Sequence, residues 1–384
     1  MSTARLGVPI PDLSHLHTDA PAGMFDSRFR ALTERFDRFI GALAVETAAA
    51  CRLSPGVQPL AQELLVQRGW VANSRWPLEW VFETLESFGQ ADRSPSGWVL
   101  APMAGESSAV LRASAEAAEP ATRPAYAMMA LAAEAMPRIL RGEIRGEDVL
   151  FGPATMNLWF EYLANTNPHY SMNNLITAHA IASRLAAGAR ILEVGGGCGG
   201  GAEAVLRALA AVRADPVEYV FTDAHPAFLR RGARVIRQSL PPGCTLRSAR
   251  ADINFEYDTQ GFEAGSFDAV VAVNTLHLGH DLTAMLARLR RVLKPGGWLA
   301  MGELMRPGFD AGVHIELPFS LLEAYGNVAL AEGVRTRPGF VPVEGWMTGL
   351  ARAGFSDAAL FPARLQECMA AYAGFYCGTI VARA

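Results

Sequence analysis

Long apolar runs, secretion signals and paired cysteines are all missing from this 384-residue sequence. No stretch reaches the roughly 18 uncharged apolar residues that a membrane helix needs. The opening MSTARLGVPIPDL lacks the apolar segment of a secretory leader. The five cysteines are an odd number without metal-type spacing: Cys51, Cys198, Cys244, Cys368 and Cys377. These absences predict a cytoplasmic protein with reduced thiols, no bound metal and no membrane partner.

An excess of positive charge is missing as well. The chain has 34 Lys and Arg against 38 Asp and Glu, a net charge of −4, and its basic residues are scattered. Nucleic acids and anionic surfaces select concentrated positive charge, so we expect neither as a partner. The apolar fraction of 51% is instead typical of globular domains with sizeable cores.

Changes in composition divide the chain into three predicted regions. Residues 1–25 are rich in Pro, Gly and Asp and predict an extended arm. Residues 26–149 show apolar residues at helical spacing and predict a mainly helical domain. Residues 150–384 form the third region, in which a different pattern begins at Gly188.

The helical region has the layout of a winged helix. Helices are predicted over residues 25–51, 60–68 and 77–88, and FGQADRSPSGWVLAP predicts a turn between two small strands. Such a domain would bind DNA if its second short helix presented basic or amide side chains to base edges. That helix reads PLEWVFETLESF, which is acidic and aromatic. We therefore expect a dimerisation or lid domain, with a homodimer as the candidate assembly.

From Gly188 onward, short β-rich runs alternate with amphipathic helices. The runs ARILEVG, EYVFTD, TLRSARAD, FDAVVAVN and GGWLAMGE end in Gly, Asp, Asn or Glu. This alternation predicts an α/β fold with a doubly wound, Rossmann-like parallel sheet covered by helices on both faces.

A glycine loop links the first of these strands to a helix. Residues 191–201 read ILEVGGGCGGG, and residues without Cβ let a backbone approach a ligand closely. Gly195, Gly197 and Gly200 satisfy the G-x-G-x-x-G pattern of dinucleotide sites, which alone is weak. Glu193 lies inside the strand, where a carboxylate opposes a pyrophosphate but suits a ligand that carries an ammonium and a sulfonium. This favours S-adenosylmethionine over a nicotinamide cofactor.

Two further acids follow neighbouring strands. Asp223 closes EYVFTD, where a carboxylate can accept hydrogen bonds from both ribose hydroxyls. Asp252 is expected to close the next strand and to accept from the adenine amino group. Either acid alone could be a turn or helix-cap residue. Their position around one glycine loop favours a nucleoside site.

Five motifs together resemble class I S-adenosylmethionine-dependent methyltransferases. ILEVGGGCGGG, YVFTDAHPAFL, ADINFE, FDAVVAVNTLH and LKPGGWLAMGE match that family in order and spacing over residues 150–384. The resemblance implies a seven-stranded sheet with a reversed last strand, FYCGTIVARA. It also implies the following cofactor-binding residues: Glu193, Gly195, Gly197, Asp223, Ala224, Asp252, Ile253 and Asn274.

Two subfamilies share these features. TDAHPAFLRRGARVI and LHLGHDL resemble the C-methyltransferase domains of polyketide synthases and their free-standing relatives. GGGCGG and the winged-helix-like half resemble natural-product O-methyltransferases. We favour C-methylation of a polyketide-like precursor, either a small molecule or an acyl group on a carrier protein. O-methylation of a small aromatic or polyketide metabolite, and a non-catalytic or non-methylating cofactor-binding protein, stay open.

His277 and Glu303 are the predicted catalytic pair. His277 follows the fourth strand of the sheet, and Glu303 ends the fifth. Neighbouring parallel strands bring their carboxyl ends to one edge, so the two side chains should meet there. His277 would act as the general base and Glu303 would orient its ring, as in the resembling C-methyltransferases.

Substrate contacts are predicted on both sides of this pair. Amides and aromatics crowd the segment before the glycine loop, and residues 304–345 form an insertion placed to wall a pocket. The candidate substrate residues are Trp159, Tyr170, Asn173, His280, His314 and Tyr325. Each could instead be a packing or surface residue.

Overall fold

The computed structural model describes residues 6–16, 21, 23–102 and 105–384. Its first part is helical and carries a small sheet. The elements are α1 (Ser27–Ala50), β1 (Gly56–Gln58), α2 (Ala61–Arg68), α3 (Arg75–Ser87), β2 (Ala91–Ser94), β3 (Gly97–Leu100), α4 (Ser108–Ala118), α5 (Arg123–Leu140), α6 (Gly146–Leu150), α7 (Met156–Tyr162) and α8 (Pro168–Ala182). The antiparallel sheet has the order β1-β3-β2, with β2 and β3 as the hairpin predicted from the sequence.

The second part is an α/β domain. Its elements are β4 (Arg190–Glu193), α9 (Gly200–Ala211), β5 (Glu218–Asp223), α10 (Pro226–Ser239), β6 (Thr245–Arg250), β7 (Phe267–Val273), α11 (Leu282–Val292), β8 (Leu293–Leu304), α12 (Leu317–Ser320), α13 (Val343–Arg352), β9 (Ser356–Phe361), α14 (Leu365–Ala371) and β10 (Cys377–Arg383). The seven strands form one sheet in the order β6-β5-β4-β7-β8-β10-β9. Strand β10 is antiparallel to both neighbours, so the predicted seven-stranded sheet with a reversed last strand is confirmed.

The central strands are buried on both faces, as a parallel sheet with two helical layers requires. In β7, FDAVVAV, only Asp268 is partly exposed, and helices α8 and α9 pack on one another beside this part of the sheet. Strand order reverses between β4 and β7, and ligands of open α/β sheets bind beyond the carboxyl ends at such a point. The glycine loop and His277 both follow strands at this position.

Two apolar cores join the parts of the chain. Leu6, Ile10 and Leu13 of the predicted arm pack into the core on one face of the sheet. Leu317 and Leu321, from the segment after β8, pack into the core of the N-terminal helices. The arm and the insertion therefore tie the helical part to the sheet.

One strand end differs from the prediction. Strand β6 stops at Arg250, where its last pairing is with Asp223, and Asp252 lies beyond it. Asp252 Oδ1 accepts hydrogen bonds from the backbone and side-chain nitrogens of Asn254, over 2.9 and 3.0 Å. A turn stabilised by this carboxylate replaces the predicted last residues of the strand.

Within the described parts of the chain, no helix combines the length and the apolar character that crossing a membrane requires. The same residues contain no cluster of three or more His, Cys, Asp or Glu that could hold a metal ion.

Candidate active site

The glycine loop between β4 and α9 forms the floor of the site. Gly195 has φ of +61°, and a Cβ there would lie 2.2 Å from Thr275 Cγ2. A Cβ at Gly196 would lie 2.1 Å from the Phe221 ring. Side chains at these two positions would clash, so close backbone packing explains why the loop needs glycine.

Asp223 holds the loop from the neighbouring strand. Its Oδ2 accepts from the backbone N–H of Gly197 over 2.9 Å, and its Oδ1 accepts from the N–H of His225 over 2.7 Å. Burial raises the pKa of this carboxyl, while the two backbone donors act in the opposite direction. The carboxylate keeps lone pairs for a ligand hydroxyl, because each oxygen can accept more than one hydrogen bond.

Glu193 lies beneath the loop, 1% exposed. The Tyr219 hydroxyl donates to its Oε2 over 3.2 Å, and the backbone N–H of Ala202 in α9 also donates to it. Burial nevertheless raises the pKa of Glu193 to about 8. Without a positive partner this side chain is therefore largely protonated at neutral pH.

His277 and Glu303 meet at the ends of β7 and β8. His277 Nδ1 lies 2.7 Å from Glu303 Oε2, and the two side chains are 6% and 0% exposed. The other carboxylate oxygen of Glu303 accepts from the backbone N–H groups of Thr275 and Leu276, over 3.1 and 2.7 Å. Glu303 thus fixes both the imidazole and the turn that carries it.

Two residues of the segment after β8 enclose this turn. The Phe340 ring packs edge-on against the His277 ring, with centroids 4.7 Å apart. Arg335, 1% exposed, donates to the backbone carbonyl oxygens of His277 and Gly279 over 3.1 and 2.8 Å. The imidazole is therefore held by its side-chain partner, its backbone and an aromatic wall.

A cavity of about 180 Å³ lies between the loop and this histidine. It brings together eight of the residues predicted from the sequence: Trp159, Tyr170, Glu193, Gly195, Gly197, Asp223, Asn274 and His277. Phe151, Phe319 and Leu322 form its apolar wall. We call this space the cofactor cavity.

A second cavity, of about 240 Å³, adjoins it. Tyr170 and Asn274 line both spaces and form the partition between them. The predicted substrate residues Asn173 and His314 line the second cavity, which we call the α1 cavity because much of one wall comes from that helix.

Six predicted site residues line neither cavity: Ala224, Asp252, Ile253, His280, Glu303 and Tyr325. Glu303 lies behind His277, which it contacts. The Ile253 side chain packs into the core, and the Asp252 carboxylate is bonded to Asn254. Ala224 and His280 are exposed. Tyr325 lies against Trp76, with ring centroids 6.4 Å apart.

Some residues of the site carried no signal that sequence reasoning used. Arg335 and Phe340 contact the His277 turn from the predicted pocket-wall insertion, but the sequence singled out neither residue. Asp37 in α1 lines the α1 cavity but lies in an ordinary amphipathic helix. A charged residue on the apolar face of that helix was the available clue, because Asp37 is only 1% exposed.

Known proteins resemble this chain in sequence and in fold. Residues 192–299 match the sequence profile of a family described as a methyltransferase domain. Polyketide synthase ThaQ of Burkholderia thailandensis is 34% identical over 240 residues, which are 60% of this chain and 11% of that synthase. Squalestatin hexaketide synthase of a Phoma species is 34% identical over 171 residues, which are 44% of this chain and 6% of that synthase. The chain thus spans only a small part of these relatives.

Solved structures are similar over nearly the whole chain. The CurJ carbon methyltransferase superposes with a TM-score of 0.74 at 21% identity, covering 97% of this chain and 96% of that one. For the DszA carbon methyltransferase the TM-score is 0.72 at 22% identity, with coverage of 98% and 94%. The trans-methyltransferase CalH, solved with SAH, gives 0.61 at 21% identity, with coverage of 91% and 90%. The predicted resemblance to class I methyltransferases is confirmed, and the helical N-terminal part belongs to the shared fold.

Proposed function

We propose that this chain, whose residues 192–299 are a methyltransferase domain, transfers a methyl group from S-adenosylmethionine to a carbon atom of a polyketide-like acyl acceptor. The observation that carries the proposal is the buried His277–Glu303 pair, with its 2.7 Å contact, at the wall of the cofactor cavity. A general base so placed is what removal of a proton from a carbon acid needs.

The cofactor cavity fits S-adenosylmethionine in chemistry. Gly197 lines the cavity, and a Cβ there would have no protein atom closer than 3.6 Å. Asp223 offers lone pairs to ribose hydroxyls, and Glu193 offers a carboxyl to the ammonium group. Asn274 and Tyr170 line this cavity on the side of the α1 cavity. When bound, S-adenosylmethionine supplies an electrophilic methyl group on a sulfonium leaving group.

The hydrogen bond to Glu303 determines which nitrogen of His277 can act as a base. An ionised carboxylate only accepts hydrogen bonds, so Nδ1 carries a proton and Nε2 keeps its lone pair. Nε2 would take the proton from the acceptor carbon, and Glu303 would stabilise the imidazolium that results. The pair is almost fully buried, which excludes water from competing for the same lone pair.

The relatives support carbon over oxygen as the acceptor atom. Both curated relatives described above are polyketide synthases, and the CurJ and DszA structures are carbon methyltransferases. We therefore propose an activated acyl acceptor, such as a β-oxoacyl thioester, either free or bound to a carrier protein. A phenol or alcohol could use the same base, so the position of the new methyl group must be measured.

The test is methyl transfer from S-adenosylmethionine carrying a ¹³C-methyl group to β-oxoacyl thioesters and to small phenols. A ¹³C methyl signal coupled to the α-carbon of the acyl chain supports C-methylation. A methoxy signal would contradict it in favour of O-methylation. Cofactor binding without transfer to any acceptor would favour a non-methylating protein.

A further inference from the structure

Buried polar atoms without partners are concentrated around the α1 cavity. Across the described residues, nine buried side-chain nitrogen or oxygen atoms have no hydrogen-bond partner. Four of them belong to three residues that line this cavity: Asp37 Oδ1, His169 Nε2, and both Oδ1 and Nδ2 of Asn173. Buried polar groups are nearly always paired in native proteins, so this concentration makes the α1 cavity a candidate site for a polar group.

Asn173 gives the strongest evidence. It is 1% exposed, and both its amide oxygen and its amide nitrogen are unpaired. It lies in α8 next to β8, where its Oδ1 would be 3.4 Å from a Cβ placed at Gly302. Asn274 and Tyr170 separate this cavity from the cofactor cavity, which His277 lines. A chain that occupied both cavities would bring a carbon to His277 and one of its polar groups to Asn173.

Asp37 supplies an acceptor across the cavity. The Tyr372 hydroxyl donates to its Oδ2, while Oδ1 lies 3.3 Å from His314 Nε2 without hydrogen-bond geometry. His314 Nδ1 is paired with the Tyr376 hydroxyl over 2.9 Å. These contacts fix the Asp37 carboxylate and leave one oxygen available to a donor in the cavity.

The unpaired atoms select the chemistry of the ligand. Asn173 Nδ2 needs an acceptor, whereas Asn173 Oδ1 and Asp37 Oδ1 need donors. A hydroxyl group both donates and accepts, whereas a carbonyl only accepts and a methylene does neither. An anion is disfavoured, because Asp37 adds negative charge and burial lowers the pKa of His169 to about 4, which keeps that ring neutral at pH 7. Phe29, Leu32 and Met172 line the rest as apolar surface.

We propose that the α1 cavity is a specificity site that binds a hydroxyl group on the chain of the acceptor, with Asn173 as the residue that recognises it. This rests on the proposed function, since it assumes an acyl acceptor beside His277. The cavity volume of 240 Å³ is what about eight water molecules occupy in the liquid, at roughly 30 Å³ each. A short chain with its hydroxyl fits this volume. The hydroxyl can come from the acyl chain or from a pantetheine handle.

The experiment compares β-oxohexanoyl thioesters with counterparts hydroxylated at the γ, δ or ε carbon. The thiol part of an N-acetylcysteamine thioester has no hydroxyl, whereas that of a pantetheine thioester has one. Comparing the two series therefore distinguishes a hydroxyl of the acyl chain from a hydroxyl of pantetheine. Binding is measured calorimetrically with the demethylated cofactor present, and methyl transfer is measured in parallel. The variants are Asn173→Leu and Asn173→Ala, and the control is Gln366→Leu, an exposed amide remote from the cavity.

We expect the wild type to bind at least one hydroxylated thioester roughly 10- to 100-fold more tightly than its unhydroxylated counterpart, the usual range for one buried hydrogen-bonded group. Both Asn173 variants should lose more affinity for the hydroxylated thioester than for its unhydroxylated counterpart, so that the preference disappears. Gln366→Leu should keep the preference.

Two results would overturn the inference: no preference for a hydroxyl in either series, or an equal loss of affinity for all thioesters in the variants that do fold. Preferential binding of a hydroxylated thioester without any methyl transfer would instead contradict the proposed function and still support the specificity site.

Discussion

Arg335 donates a hydrogen bond of 3.1 Å to the backbone carbonyl oxygen of His277, and a second, of 2.8 Å, to that of Gly279. Burial lowers the pKa of Arg335 to about 10, so the guanidinium remains charged at neutral pH. Its hydrogen bonds to His277 and Gly279 go to neutral carbonyl oxygens of the turn. Arg335 is therefore a positioning residue for His277.

We predict that Arg335→Ala lowers kcat by roughly 10- to 100-fold, in line with the loss of one or two hydrogen bonds to a charged group. The KM for the acceptor and the affinity for the cofactor should change little, and Arg335→Lys should recover part of kcat. The decisive measurement is the double variant with His277→Ala. If Arg335 acts by positioning His277, Arg335→Ala should cause no further loss of kcat in the His277→Ala variant. A full additional loss would show a role independent of His277.

His277→Ala should reduce turnover by roughly 10²–10⁴-fold, the usual size of general-base catalysis. Glu303→Gln should cost less in rate, because an amide oxygen still accepts from Thr275 and Leu276 N–H groups but cannot stabilise an imidazolium. The double variant should be far from additive, since the two residues act as one unit. Steady-state kinetics and calorimetric cofactor binding check both effects. Near-normal turnover of His277→Ala would mean that proximity alone drives transfer.

How much of this site the sequence could predict depends on the kind of contact. His277 and Glu303 were predictable because parallel strands bring their carboxyl ends to one edge. Glu303 is the penultimate residue of β8, and His277 lies in the turn that follows β7. The glycine loop, Glu193 and Asp223 were predictable for the same reason. The ends of strands are less certain: Asp252 lies beyond β6 because its carboxylate is used in a turn with Asn254.

Contacts from distant segments could not be predicted. Arg335 reaches the His277 turn from a segment without regular structure, and nothing in the local sequence specifies where its side chain ends. The α1 cavity likewise depends on how Asp37 in the N-terminal helix packs against His314. Such pairs are set by tertiary packing of two cores and not by local propensity or periodicity.

Asp223→Ala should weaken cofactor binding by about 1.5–3 kcal/mol, the range for hydrogen bonds to a charged group. Part of the lost affinity comes from the missing hydrogen bonds to the ribose. The rest comes from the glycine loop, which Asp223 holds by accepting from the backbone N–H of Gly197. Asp223→Asn keeps the Oδ1 acceptor and is the matched control, expected to lie between the wild type and the alanine variant. Titration calorimetry measures all three. Unchanged affinity in Asp223→Ala would show that the ribose is held elsewhere.

The winged-helix-like part should not bind DNA. Most of α3 is buried from Pro77 to Leu85, and Trp80 Nε1 donates to the carbonyl oxygen of His314 over 2.6 Å. Glu83 of the same helix pairs with Arg337 over 2.7 Å. Because α3 packs against the rest of the chain, it cannot enter a groove. A gel-shift titration with random duplex at low salt should show no complex at micromolar protein, and a salt-sensitive complex would contradict this.

Cofactor binding should be coupled to proton release through Glu193, whose pKa burial raises to about 8. In the free protein at pH 7 this carboxyl is mostly protonated, and an ammonium group bound beside it favours the ionised form. Binding at pH 7 should therefore release protons, and affinity should rise with pH until the carboxyl of the free protein is ionised, above about 8. A raised pKa in the folded state stabilises the free protein at low pH, and this contribution is lost as pH rises through that value.

Titration calorimetry in phosphate and in Tris, buffers with different ionisation enthalpies, measures the released protons. Glu193→Gln is the control that should release none. Equal proton release by the wild type and the variant would assign the protons to another group.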